Sequence, residues 1–152
     1  MYIKRIGSYG ALFIVVFIMT LILTSCPGLQ DWVYDKLPNG YEIWRFNSQD
    51  IALIKRDGDS TNGVINRYIL EFCYNDSYIG MKRLMIDESI PYQDLRIEEM
   101  DQSDPVYYLV DAVNDVIMGP YTAEEYEDQI EALGIGTMCD WIKTVPMPEG
   151  AK

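Results

Sequence analysis

Apolar and polar positions fall into three regimes along the chain. Ala11 to Leu23 is a continuous apolar run of 13 residues, broken only by Thr20. From Tyr41 onward apolar residues recur at every second position, the period of a half-buried strand. After Thr122 the spacing lengthens to the three and four residues of a helix. Tyr41 to Phe46 predicts a strand with Tyr41 and Ile43 on one face and Trp44 and Phe46 on the other. Asn47 to Asp50 interrupts it, and Ile51 to Arg56 resumes the pattern. Asp57 to Gly63 is a polar hairpin tip of turn formers. Arg67 to Tyr74 alternates most clearly, with Tyr68, Leu70, Phe72 and Tyr74 on one side. Asn75-Asp76-Ser77 turns the chain and Tyr78 to Ile86 returns it. Gly80 inside the return strand predicts a bulge or a close backbone approach. Val106 to Val110 and Val116 to Met118 pair around a turn at Asp111 to Asp115, and Gly119-Pro120 closes that hairpin.

The one firm helix starts at Thr122. Thr122 and Glu125 form a capping box, in which the hydroxyl and the carboxylate satisfy each other's backbone N–H. Tyr126, Ile130 and Leu133 share one face, and Gly134 stands where a left-handed C-terminal residue belongs. Met138, Trp141 and Ile142 are further core candidates. The expected fold is α+β: a mainly antiparallel sheet of about five to seven strands in hairpins, one face covered by this helix and the other largely solvated.

The apolar run at the start is too short to span a bilayer, which takes about 20 residues. Lys4 and Arg5 precede it and Leu23-Thr24-Ser25-Cys26 follows, the layout of a secretory signal. That exit resembles a bacterial lipobox. The resemblance implies that Cys26 receives a diacylglyceryl group and becomes the first residue of the processed chain. Two acyl chains hold where one slips off, since each buried CH₂ contributes about 0.8 kcal/mol. The expected organisation is a lipoprotein signal peptide at 1–25, a lipidated tether and lead-in segment at 26–39, a single domain at 40–145 and a tail at 146–152. Trp32, Val33, Tyr34 and Leu37 are too apolar for the whole of that tether to run free. The expected location is the extracytoplasmic face of the cell membrane.

Composition narrows the chemistry. The 152 residues carry 24 acids against 12 Lys and Arg, a net charge of −12. A nucleic-acid partner needs a basic footprint, and none is offered. The charge also argues against a second, electrostatic contact with anionic lipid. There is no histidine, which removes Ser-His and Cys-His nucleophile pairs and His-ligated zinc. No cofactor and no metal are expected. Asp57-Gly58-Asp59-Ser60-Thr61-Asn62-Gly63 fails the EF-hand pattern, because Asn62 stands where Gly is needed and Tyr68 where Glu is needed. Cys73 and Cys139 either bridge, as an exported domain permits, or stay as thiols. The thiols are the preferred expectation, two cysteines being no scaffold for a chain with a real core. Asp87 to Pro105 is an acidic excursion, with a short helix expected over Tyr92 to Met100; its carboxylates read as a solvated surface. Lys82 and Arg83 are neighbours on a strand and point to opposite faces.

In the processed chain ten Tyr and three Trp remain as candidate binding groups, most of them on alternating strands. Tyr41, Tyr78, Tyr107 and Tyr108 are the candidates for an aromatic binding surface, since Tyr favours interfaces.

Leu37-Pro38-Asn39-Gly40-Tyr41-Glu42-Ile43-Trp44-Arg45 resembles the opening of a family of small uncharacterised bacterial lipoproteins catalogued as a domain of unknown function. Tyr107-Tyr108-Leu109-Val110-Asp111, Gly119-Pro120-Tyr121-Thr122 and Glu125-Tyr126 are similar to its second half. Trp141, Thr144, Pro146 and Pro148-Glu149-Gly150 fit its close. The resemblance implies a small envelope lipoprotein and brings no catalytic signature. The sequence therefore leads to a non-catalytic binding module of the cell envelope, partnered by the membrane through Cys26 and by an envelope protein or glycan. An enzyme using only carboxylates and Tyr on envelope glycans is the first alternative. A protective or inhibitory lipoprotein using its acidic loop is the second.

Overall fold

A computed structural model describes residues 32–47, 50–85 and 102–152. Nine strands and one helix occur among them: β1 (Trp32–Tyr34), β2 (Tyr41–Arg45), β3 (Ile51–Asp57), β4 (Ser60–Ile65), β5 (Ile69–Tyr74), β6 (Tyr78–Arg83), β7 (Val106–Asp111), β8 (Val116–Tyr121), α1 (Ala123–Ala132) and β9 (Ile142–Lys143). The strands make two antiparallel sheets, ordered β1-β2-β3-β4 and β8-β7-β6-β5-β9. The fold is α+β, as the periodicity predicts.

The sheets pack face to face. Tyr34, Tyr41, Ile43 and Leu53 of the first sheet share one buried cluster with Ile69, Phe72, Ile79, Met81 and Val110 of the second. The Tyr34 ring meets Phe72 edge-on, 5.0 Å between centroids. Helix α1 covers the opposite face of the second sheet through Tyr126, which is 3% exposed. The layers are sheet, sheet, helix.

Three expectations change. The described strands number nine in two sheets rather than five to seven in one: β1 and β9 are only three and two residues long, β9 pairs with β5 far upstream, and β4 takes in polar residues expected to belong to the hairpin tip. The face expected to be solvated is covered by a second sheet. Residues 32–37 and 146–152 are not tether and tail. Trp32–Tyr34 forms β1, Leu37 is buried, and Lys152 exchanges both backbone hydrogen bonds with Val33, at 3.0 and 2.9 Å.

Local detail follows chain chemistry. The hairpin tip is shorter than expected: Gly58-Asp59 joins Asp57 to Ser60, Gly58 having φ +58°, and Ser60 already belongs to β4. A bulge between Ile69 and Glu71 adds Leu70 to β5. It puts Ile69, not Leu70, into the core beside Phe72. A second bulge takes Gly119 and Pro120 into β8 rather than ending it. The Gly119 φ of +113° and the nearness of the Tyr107 carbonyl oxygen, 2.7 Å from where a Cβ would sit, leave no room for a side chain. The capping box forms as read: the Glu125 N–H donates to Thr122 Oγ1 and the Thr122 N–H to Glu125 Oε2. Gly134 at φ +61° closes the helix, with Gly134 N–H donating to the Glu131 carbonyl and Ile135 N–H to the Ile130 carbonyl. Cys26, the signal segment 1–25 and the acidic stretch 87–101 with its expected helix lie outside the described residues.

Candidate functional site

Gly80 sets the first part of the site. A Cβ there would sit 2.1 Å from the Tyr126 hydroxyl and 2.9 Å from Cys73 Sγ. Glycine thus lets the tyrosine reach the sheet and meet the thiol, the close approach expected of this position. Burial and the neighbouring Cys73 push the Tyr126 hydroxyl far above its ordinary pKa. Burial also pushes the Cys73 thiol up, to about 12. Cys73 and Cys139 are both free; Cys139 is exposed. Such a raised thiol is a packing group, not a nucleophile.

Around Tyr126 stands an aromatic cluster. Its ring lies 5.2 Å from Tyr107 and 6.0 Å from Trp141, and Tyr107 and Trp141 are 6.2 Å apart. Lys82 Nζ sits 4.2 Å above the Trp141 ring and donates to Glu71 Oε2 at 2.6 Å. Lys82 and Arg83 do point to opposite faces, for Arg83 donates to the Tyr108 hydroxyl on the inner side.

Of these, Glu71, Lys82 and Tyr107 border a cavity of about 670 Å³ at one end of the sandwich. Arg45 and Ile51 line it from the first sheet, Ile69, Glu71, Lys82 and Tyr107 from the second, and Lys143 to Val145 from the closing segment. Three cations, Arg45, Lys82 and Lys143, meet one carboxylate, Glu71, among the described lining residues. This inverts the sign of a chain whose net charge is −12. A hollow of this size with cations and a ring face suits an anionic or polar ligand. It offers no pair of acids for proton transfer among the described residues. Nor, among them, do three or more Cys, Asp or Glu side chains converge as metal ligands.

The opposite end is built differently. Lys55 donates to the Asn39 carbonyl at 2.6 Å and to Asp115 Oδ1 at 2.9 Å, and lies 4.3 Å over the Tyr41 ring. The Tyr41 hydroxyl donates to the same Asp115 oxygen at 3.0 Å, and Asn39 Nδ2 donates to the Ala112 carbonyl. Asn39 reaches it from a left-handed conformation, φ 53°. Asp111 Oδ1 accepts from the N–H groups of Val113 and Asn114, fixing the β7–β8 turn. The network joins the two sheets, and Asn39, Tyr41, Lys55 and Asp115, which line the hollow beside it, are already engaged in it.

The four candidate tyrosines do not converge. Tyr41 is 2% exposed, a core residue of the far network, so it presents no ring to solvent. Tyr78 starts β6 at that same end, its N–H bonded to Asn75 Oδ1. Tyr108 faces inward against the core. Tyr107 alone borders the cavity. Lys82, Lys143 and Arg45 escaped a reading by motif, because no spacing links Arg45 to Lys143; Trp141 showed itself only as an apolar contact.

The family described as Protein of unknown function (DUF3997) matches residues 38–143. The chain belongs to that family. No curated protein and no solved structure matches it. The stretches that resemble the DUF3997 family are largely builders of the fold: Asn39 and Tyr41 in the inter-sheet network, Thr122 and Glu125 in the cap, and Thr144, whose buried hydroxyl is bonded to the Ile69 and Leu70 carbonyls. Arg45, Tyr107 and Thr144 are the members of those stretches that also line the cavity.

Proposed function

We propose that this DUF3997 protein is a lipid-anchored, extracytoplasmic lipoprotein of the cell envelope. Its domain acts as a non-catalytic binding module, taking an anionic group of an envelope protein or glycan between Arg45, Lys82 and Lys143. The observation that carries the binding role is the reversal of charge in the cavity, set beside an aromatic face. Support for the anchor is the order of signals before β1: Lys4 and Arg5, the apolar run, then Leu23-Thr24-Ser25-Cys26. The carboxylate-and-Tyr enzyme finds one acid, Glu71, among the described lining residues, and that acid is held by Lys82. The inhibitory reading turns on the acidic loop at 87–101, outside the described residues.

Two measurements test this function. The intact mass of the native protein from the membrane fraction is expected to equal residues 26–152 plus a diacylglyceryl group, and to lose that group in Cys26→Ser. A full-length mass without lipid would sink the anchor. A photo-crosslinking residue at Val145 is expected to capture an envelope component in cells, and Lys143→Glu to abolish the adduct. An adduct indifferent to that charge reversal would remove the cavity from the binding role.

A further inference from the structure

The cavity cations are not equivalent. Among the described residues Lys55, Arg56, Lys82 and Lys152 each pair with a carboxylate. Arg45 and Lys143 pair with none there, although the chain holds 24 acids against 12 bases. Arg45 donates its Nε to the Asn47 carbonyl at 3.2 Å, which leaves its Nη groups for a ligand. The Lys143 ammonium makes no hydrogen bond or ion pair among the described residues. Both line the cavity, Arg45 from the first sheet and Lys143 from the second.

Strand register explains the division. Glu71 on β5 lies opposite Lys143 on β9 and opposite Lys82 on β6, and Lys82 lies opposite Tyr107 on β7. Opposed side chains share a face of the sheet. Lys143, Glu71, Lys82 and Tyr107 therefore form one row across four strands, and all four line the cavity. Within the row Glu71 takes Lys82, at 2.6 Å, and leaves Lys143 without a counter-charge. Neighbouring strands lie about 4.8 Å apart, so the row runs about 14 Å from Lys143 to Tyr107. Along it stand a cation, a neutral pair with donor and acceptor side by side, and an aromatic ring. Arg45 adds a second cation from the other sheet.

We infer that the cavity takes a short anionic glycan, its carboxylate or phosphate held by Arg45 and Lys143 and its hydroxyls and ring face met by Lys82, Glu71 and Tyr107. This inference rests on the binding role proposed above for the cavity and names its ligand. A guanidinium grips an oxyanion as a planar fork, and an ammonium adds a point charge. A hydroxyl donates and accepts at once, which fits an ammonium beside a carboxylate, each with hydrogen-bonding capacity left over. The Tyr107 ring offers an apolar platform to the C–H face of a sugar. An extended peptide would instead seek the backbone groups of a strand edge. The edge strand at the cavity, β9, is two residues long.

The test uses the full chain, extracted from membranes in detergent, on an array of carboxylated, phosphorylated and neutral oligosaccharides printed beside acidic peptides. Binding to anionic oligosaccharides over their neutral counterparts is the expected result, and the preferred class identifies the oxyanion. Lys143→Gln and Arg45→Gln should each weaken it about tenfold or more, as the loss of a charge-assisted hydrogen bond implies. Thermal melts check that both variants fold. Glu71→Gln releases Lys82 and should strengthen binding several-fold, a gain that purely structural side chains would not give. A loss in Glu71→Gln as large as that in Lys143→Gln overturns the division between the cations. Acidic peptides bound in preference overturn the glycan, and so does an array on which no oligosaccharide is bound. In either case a Val145 adduct that needs Lys143 leaves the binding role of the cavity standing. An adduct that is absent or indifferent to Lys143→Glu removes both.

Discussion

The two ends of the sandwich differ in how they spend their polar groups. At the far end Lys55, Asp115, Tyr41 and Asn39 satisfy one another and clamp the sheets. At the near end Arg45, Lys82 and Lys143 stand around a hollow with one carboxylate among the described residues. A closed network stabilises the state that holds it; cations gathered round an open space are set for something that is not part of the fold. The difference sets an architectural end against the end proposed above to bind.

The sharpest way to break this contrast is to delete its pillars. Tyr41→Ala removes a buried ring, a hydroxyl bonded to Asp115 and the face beneath Lys55. It is expected to cost about 3–5 kcal/mol in denaturant unfolding. A cost as small as that of a surface substitution would refute the clamp. Gly80→Ala forces a methyl group against the Tyr126 hydroxyl and Cys73 Sγ, and should cost about 1–3 kcal/mol by overpacking. It should also speed modification of Cys73 by a thiol reagent. In the parent protein the exposed Cys139 is expected to react first and the buried Cys73 to lag.

Titration sharpens the comparison. Hydrogen bonds from Lys55 and Tyr41 hold Asp115 below its ordinary value of 3.8. Because its folded pKa is the lower one, its contribution is complete above about pH 4 and is lost as pH falls through the folded value. Tyr41 moves oppositely: burial, then the hydrogen bond to Asp115, raises it from 10.0 to about 12. That contribution is complete below pH 10 and lost as pH rises through about 12. Thermal melts across pH should show both limbs, the acid limb shallower in Asp115→Asn and the alkaline limb shallower in Tyr41→Phe. At neutral pH Tyr41→Phe should cost about 1 kcal/mol, the net worth of one hydrogen bond. The smallest effect is expected at the near end. Lys143→Glu should leave stability within about 0.5 kcal/mol, while the crosslink at Val145 disappears. A large loss of stability there would make the cavity cations structural after all.

Legibility in the sequence followed locality. The cap of α1, its glycine exit and the β5–β6 hairpin are decided within a few residues, and they stand where periodicity puts them. Gly80 announced a close approach, though not to what. The division of the hairpins into two sheets went unseen, and so did β9, which pairs with β5 some 70 positions upstream; nothing in Ile142-Lys143 alone points there. The bulge at Leu70 slipped the register by one residue, which transfers a whole face from one side to the other. The cavity was the least legible part. Its cations are isolated positions on separate elements, and a strongly acidic composition conceals a local excess of positive charge.

The pairing of Lys152 with Val33 bears on how copies of the protein tolerate one another. β1 is the outer strand of its sheet, and an outer strand with free N–H and C=O groups is a template for further strands. Lys152 occupies both backbone groups of Val33, the middle residue of that strand, and its ammonium pairs with the Asp35 carboxylate. A chain that stops before Pro148 loses the packing of Ala151 on the core and bares this edge. If anchored as proposed above, such chains would meet in two dimensions at high local density. Truncation by five residues is thus expected to promote edge-to-edge association, read as a rise in particle size by light scattering.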